Sequence, residues 1–374
     1  MNHMLGRKAV RFFKFCQLRL RSKLPELPSR KVLRCIREFN AHLVPPFDTL
    51  PAPVVCIIEL TMSGYEHQPK KRRMDTDGDN AVPQFKAQPR FHPTVPRDWT
   101  ISIAVPTSLI TDCVTREQRT TNRANADPDA YTGDTDPAHF MEHILTYLEA
   151  PPFMRKLLFP IHPNLRSQGL LPSLDMPHHP HKDEWLPYRE GMALDTPAKG
   201  GKGTVVDIGM PQTVTIAESI PPKTRVTLKM SDDPHGTPEP VHPALPRTQD
   251  GYFWGFSVRR APTLSSVFTS SPYEDGYDLS IGTSERGQPL SRAFPENQRT
   301  NFQHMLMAFG GPRGLEYAAM NDPELGELGI AGARTKELFD HWVNVLPNQG
   351  TRGIRTDESL LIALTGLRRL WDSS

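Results

Sequence analysis

The chain has 374 residues, 37% of them apolar and 23% charged, with a formal net charge of +2. That length allows more than one domain and a sizeable core, and the absence of any run of 18 or more apolar residues argues against a membrane span. Four cysteines at Cys16, Cys35, Cys56 and Cys113 share no metal-like or redox spacing, which argues against a disulfide scaffold and for a reduced, intracellular protein.

The charge is unevenly spread. Residues 1–61 carry eleven Lys/Arg against four Asp/Glu, a net of +7, so the remainder is at −5. A protein body of that sign binds nucleic acid through a local patch rather than through its overall charge. The 38 prolines are about twice the usual share, so much of the chain is expected to be loop or linker.

Residues 1–61 read as a basic extension without a fold, outside the core. Within it, residues 1–23 hold seven basic residues and no acid, interleaved with Phe12, Phe13, Phe15, Leu18 and Leu20. That pattern also fits a mitochondrial-type presequence. Residues 62–95 read as a disordered linker. They contain Pro69-Lys70-Lys71-Arg72-Arg73, which fits a nuclear import signal or an ordinary solvated charge run. Nucleus is the expected location and mitochondrion the alternative.

Thr100 to Pro106 predicts the first strand, stopped by Pro106. Residues 115–137 are polar and carry no periodicity. Phe140, Ile144, Tyr147 and Leu148 then place an apolar stripe on a helix from about Ala138 to Glu149, ended by Pro151-Pro152. Residues 160–190 read as loop. Their His178, His179 and His181 resemble a metal cluster at first sight, but near-adjacent histidines do not converge on one tetrahedral ion. A packed or RNA-facing loop is the better reading, and no metal is expected.

Residues 191–247 change character. Val205–Ile208, Thr213–Ile216 and Thr224–Lys229 are short β-type runs between turn residues. They predict a small inserted β-barrel of the oligonucleotide-binding (OB) kind, carrying Lys199, Lys202, Lys223, Arg225 and Lys229. The chain returns to an α/β pattern at residue 248. Tyr252, Trp254, Phe256 and Val258 alternate, and Leu264, Val267 and Phe268 line a short helix.

Three apolar strands follow, each ending in a glycine-bearing or polar loop. Tyr277–Ile281 runs into Gly282-Thr283-Ser284-Glu285-Arg286-Gly287. Met305–Phe309 ends at Gly310-Gly311-Pro312. The run around Trp342, Val343, Val345 and Leu346 ends at Asn348-Gln349-Gly350. A last helix starts near Thr356, with Thr356 or Asp357 as N-cap. Ligands bind at the carboxyl ends of strands in open α/β sheets, and glycines there admit a close backbone approach. The pattern points to a cofactor site. No serine-elbow motif, CxxC pair or metal triad accompanies it, so hydrolase and redox classes lack support.

Taken together, these segments resemble a known family. The segments are Tyr252-Phe253-Trp254-Gly255, Asp275–Leu279, Ile281–Gly287, Phe309-Gly310-Gly311, Pro347–Arg352 and Ile354-Arg355-Thr356. They look like the eukaryotic and archaeal RNA methyltransferases of the SPOUT superfamily, the group whose human member is also described at centromeres and spindles. The resemblance spans roughly residues 97–370. It implies an α/β domain over 96–190 and 248–374 with a C-terminal deep trefoil knot, the OB-like insert at 191–247, a homodimer, S-adenosyl-L-methionine as cofactor and RNA as substrate. A non-catalytic RNA-binding or spindle-associated scaffold on the same fold is the alternative.

Carried over by position, the cofactor contacts are Gly282, Thr283, Gly287, Phe309, Gly310, Gly311, Asn348, Gly350, Ile354 and Thr356. Arg286 and Arg355 are candidates for orienting RNA, or else partners in salt bridges. Glu285 and Glu358 are the candidate bases. The sequence departs from its relatives at residues 115–137, where they carry an apolar helix and a further core strand. The sheet is therefore expected to lack a strand and to leave an unpaired edge.

Overall fold

The computed structural model describes residues 55–60, 91, 93, 95–113, 131–165, 174–181, 184–198, 203–231, 236–296 and 300–371. The presequence-like segment, the Pro69–Arg73 cluster and residues 114–130 lie outside them. The chain divides into two compact units. One gathers Met1–Glu59, Trp99–Glu142 and Val258–Ser374, the other Leu60–Asp98 and His143–Ser257.

The first unit is a mixed α/β layer built on a sheet with parallel strands. The strands are β1 (Val55–Leu60), β2 (Thr100–Pro106), β8 (Phe256–Ala261), β9 (Leu279–Pro289), β10 (His304–Ala308) and β11 (His341–Asn344), in the order β11-β9-β10-β2-β1-β8. β10 runs parallel to β2 on one side and to β9 on the other, and β9 runs parallel to β11. Parallel strands are covered on both faces, which demands a near-continuous apolar run. β10 obeys: Met305, Leu306, Met307 and Ala308 are all fully buried. One core gathers Leu306 and Ala308 with Val267 and Phe268 of α2 (Leu264–Thr269) and Leu315, Ala318 and Ala319 of α3 (Gly314–Met320).

Two expectations need correction here. Residues 55–60, placed in an unstructured extension, form a strand between β2 and β8. The position beside β2, expected to be short of a strand, is therefore filled from the N-terminal side. The Gly282–Gly287 loop is also not the end of its strand. Trp342 lies opposite Gly282, but the next residue, Val343, lies opposite Gln288. Residues 283–287 are an extended excursion within β9, analogous to a large bulge.

The second unit holds an antiparallel sheet of order β5-β4-β3-β6-β7, from β3 (Tyr188–Pro197), β4 (Thr204–Asp207), β5 (Val214–Ile216), β6 (Arg225–Lys229) and β7 (Glu239–Val241). Val206, Ile208, Ile216 and Leu228 form its core. The central strand β3 begins in the stretch read as loop. Arg189 and Glu190 interrupt its apolar pattern, yet both are buried. Arg189 donates to the carbonyls of His181, Glu184 and Ile208. Glu190 accepts from Arg225 Nε at 2.7 Å, Thr227 Oγ1 at 2.8 Å and Trp254 Nε1. His178 and His179, in the stretch expected to be a packed or RNA-facing loop, both turn Nε2 to the Glu149 carbonyl, at 2.9 and 2.6 Å. Among the described residues no helix is long and apolar enough to cross a membrane.

Candidate functional site

Three parallel strands, β9, β10 and β11, bring their carboxyl ends to one side of the sheet. A cleft of about 930 Å³ opens there, within the roughly 300–1,000 Å³ range of small-ligand sites. Its walls are the β9 excursion, the Gly310–Gly314 turn after β10, Asn344 and Val345 at the end of β11, Gln349, and residues 352–356 leading into α4 (Thr356–Leu367).

Each wall has a local cause. The turn after β10 is tight: a Cβ on Gly310 would lie 2.7 Å from Gly314 Cα, and one on Gly311 would lie 2.4 Å from Ser108 Oγ. Gly314 adopts φ +76°, which L side chains rarely tolerate. The excursion is anchored at its root by Thr283 Oγ1, which donates to Ala308 O at 3.0 Å. Asn344 Nδ2 holds its crest by donating to Glu285 O at 3.0 Å. The segment entering α4 is tied across the cleft by Thr356 Oγ1, which donates to Gly310 O at 3.4 Å.

Of the ten residues expected at a cofactor, Thr283, Gly310, Gly311, Ile354 and Thr356 line the cleft. Gly282 and Gly287 pack instead against β11 and its flank. A Cβ on Gly282 would meet the Trp342 ring at 2.6 Å, and one on Gly287 the Val343 carbonyl carbon at 2.2 Å. Phe309 is buried and its N–H donates to Ala104 O. Asn348, at φ 60°, and Gly350 are exposed just beyond the lining.

The four candidate catalytic residues separate clearly. Glu358 caps α4: Arg355 N–H donates to its Oε2 at 3.0 Å. The cap position is Arg355 itself, one residue before the expected Thr356. The Arg355 guanidinium is held by Asp357 through two hydrogen bonds of 3.1 Å. Arg355 thus takes its salt-bridge reading, while still lining the cleft. Glu285 and Arg286 stand exposed on the excursion, with Glu285 Oε1 accepting from Gln349 Nε2 at 3.3 Å. Among the described residues Arg286 has no carboxylate partner.

Among the lining residues that were given no site role from the sequence are Ser284, Arg313, Glu316 and Arg352. Arg313 stacks its guanidinium over the Tyr317 ring at 4.7 Å, and neither it nor Arg352 meets a carboxylate among the described residues. Arg286, Arg313 and Arg352 therefore share one cleft, which Glu285 and Glu316 also line, and guanidiniums that no carboxylate claims among the described residues can take an anion. The available signal was position alone, since Arg313 and Glu316 directly follow the Gly310-Gly311-Pro312 turn.

The lining suits a small polar ligand that is read largely by backbone. Gly353 presents its Cα to the cleft, and a Cβ there would meet only the Glu285 carboxylate, at 3.2 Å. Residues 310–314 and 352–356 both line the cleft.

Comparison with known proteins places this geometry. Residues 120–367 match the family model described as "Putative RNA methyltransferase". Over 233 residues the chain is 43% identical to the human 28S rRNA (uridine-N(3))-methyltransferase, covering 61% of this chain and 60% of that protein. It is 43% identical over 232 residues to the Drosophila melanogaster protein of the same description, covering 61% and 46%. The chain thus spans about half to three fifths of the length of these curated relatives.

Proposed function

The chain belongs to the RNA methyltransferase family matched by residues 120–367, and from that membership we propose that it methylates N3 of a uridine in large-subunit rRNA, with S-adenosyl-L-methionine as methyl donor. The observation that carries this reading is the cleft at the carboxyl ends of β9, β10 and β11, lined by the Gly310–Gly314 turn and by Arg286, Arg313 and Arg352, three guanidiniums that meet no carboxylate among the described residues. The cofactor, when bound, supplies an electrophilic methyl group on a sulfonium.

The chain's own residues do the rest. The Gly310–Gly314 turn and residues 352–356, which line the cleft, would hold the donor and so restrict its orientation. Arg286, Arg313 and Arg352 take the phosphates flanking the target nucleotide. The antiparallel sheet of the second unit, residues 188–241, serves as the OB-like insert. There Lys223 and Lys229 are exposed for RNA, whereas Arg225 is committed to Glu149 and Glu190. The trefoil knot is supported by the strand order β11-β9-β10-β2 and by Thr356 closing on Gly310 after β11. A homodimer and a nuclear or nucleolar location complete the reading.

Calorimetric titration of S-adenosylmethionine and its demethylated product into the full chain tests the cofactor. Micromolar binding is expected, and no binding by a cooperatively folded protein would favour the scaffold alternative. The guanidinium seat makes a separate prediction. Arg286→Ala, Arg313→Ala and Arg352→Ala should each weaken binding of an unmodified 28S rRNA transcript. Each should lower the slope of log affinity against log salt by about one. Unchanged slopes would remove these residues from the RNA path.

A further inference from the structure

Alkylation at uridine N3 has a requirement that the roles above do not meet. N3 of uracil is a weakly acidic imide between two carbonyls, and its proton must leave as the new bond forms. A group in the cleft has to receive it. Two carboxylates line the cleft, Glu285 and Glu316. Glu285 is exposed and engaged by Gln349. Glu316 is half-buried in the first turn of α3.

Glu316 is held by two features. Ser284 Oγ accepts from Arg286 N–H at 3.3 Å, which turns the serine proton towards Glu316 Oε1, 3.2 Å away. The second oxygen, Oε2, lies over Gly314, where a Cβ would approach it to 2.6 Å. Among the described residues Oε2 has no hydrogen-bond donor. One oxygen is thus fixed by a donor and the other is left open beside the turn expected to hold the cofactor.

Resting on the reading above, we propose that Glu316 accepts the N3 proton during methyl transfer, with Ser284 as its positioning residue. The N3 electron pair forms the new N–C bond as the C–S bond breaks, sulfur keeps that bonding pair and becomes a neutral thioether, and the N3 proton passes to Glu316 Oε2.

The test uses the full chain, unmodified 28S rRNA transcript and the same transcript made with 5-fluorouridine, whose N3 proton is more acidic. Glu316→Gln should lower the methylation rate about 100-fold, while affinity for S-adenosylmethionine by calorimetry stays within about twofold. The 5-fluorouridine transcript should recover at least tenfold more rate in Glu316→Gln than in the parent, and formate should partly rescue Glu316→Ala. Ser284→Ala should cost less than tenfold and respond to 5-fluorouridine in the same direction. A Glu316→Gln protein that methylates N3 within threefold of the parent overturns the assignment alone. So does a slow variant with no added 5-fluorouridine response. A parent protein that binds cofactor and RNA yet forms no N3-methyluridine overturns the uridine-N3 reading and this assignment together.

Discussion

Removal of residues 1–61 abolishes cooperative folding of the first unit. β1 lies inside the sheet, with β2 on one side and β8 on the other. β2 is buried along almost its whole length, so its backbone groups on the β1 side have no water to turn to. Each buried group left without a partner costs about 1–3 kcal/mol, and a strand exposes several. That sum reaches the whole net stability of an ordinary domain, about 5–15 kcal/mol. The family match begins at residue 120, so neither β1 nor β2 lies within it. Urea denaturation of 62–374 against the full chain should show a lost or non-cooperative transition, and Ile57→Pro should resemble the truncation because a central strand cannot spare a donor. A peptide covering residues 50–62 should restore the transition in trans. A truncated protein with the parent's midpoint would mean that β1 contributes nothing to the sheet.

The sequence made most of the cleft-side architecture readable, for physical reasons that also explain the lapses. β2, β10 and β11 and the helices Pro137–Glu149 and Thr356–Leu367 announced themselves by apolar runs or by 3/4 periodicity. β1 did not, because Val-Cys-Ile-Ile-Glu-Leu is embedded in a basic, proline-bearing stretch and its partners are distant in sequence. β3 did not, because Arg189 and Glu190 sit inside the core on hydrogen bonds supplied by other segments. In the cleft, glycine was a signal with two meanings. Gly310 and Gly311 shape the lining, whereas Gly282 and Gly287 let β11 approach β9. Arg355 and Glu358 look catalytic in a string of letters, but the start of a helix claims them through local bonds. Glu316 is a single acid in a seven-residue helix, and only the fold brings Ser284 to it.

Arg225→Met destabilises the second unit by about 3–5 kcal/mol, the range for leaving buried charges without their partner. Arg225 meets Glu149 through two hydrogen bonds of 2.6 and 3.0 Å and Glu190 through a third of 2.7 Å. Both carboxylates are nearly inaccessible, at 8% and 2% side-chain exposure. Gly255 allows this crowding, since at φ +74° a Cβ there would lie 2.5 Å from Glu149 Oε1. Burial alone raises the pKa of Glu149, but the hydrogen bonds from His178 and Arg225 and the Arg225 charge outweigh it and hold the group at about 2, against 4.5 for an ordinary glutamate. A depressed carboxylate pKa stabilises the fold above the unfolded value and loses that contribution as pH falls through the folded one. For Glu149 the window runs from about 4.5 down to about 2 and is worth about 3 kcal/mol. In Arg225→Met the largest compensating charge is gone, so Glu149 should protonate at higher pH and the acid limb of the stability curve should move up with it. Urea midpoints of the parent and the variant at pH 7 and pH 4 check both statements at once. The variant should be less stable at pH 7, and the gap should narrow at pH 4 as protonation relieves the unpaired carboxylates. A gap of constant size would mean that Arg225 acts through packing of its aliphatic stem and not through its charge.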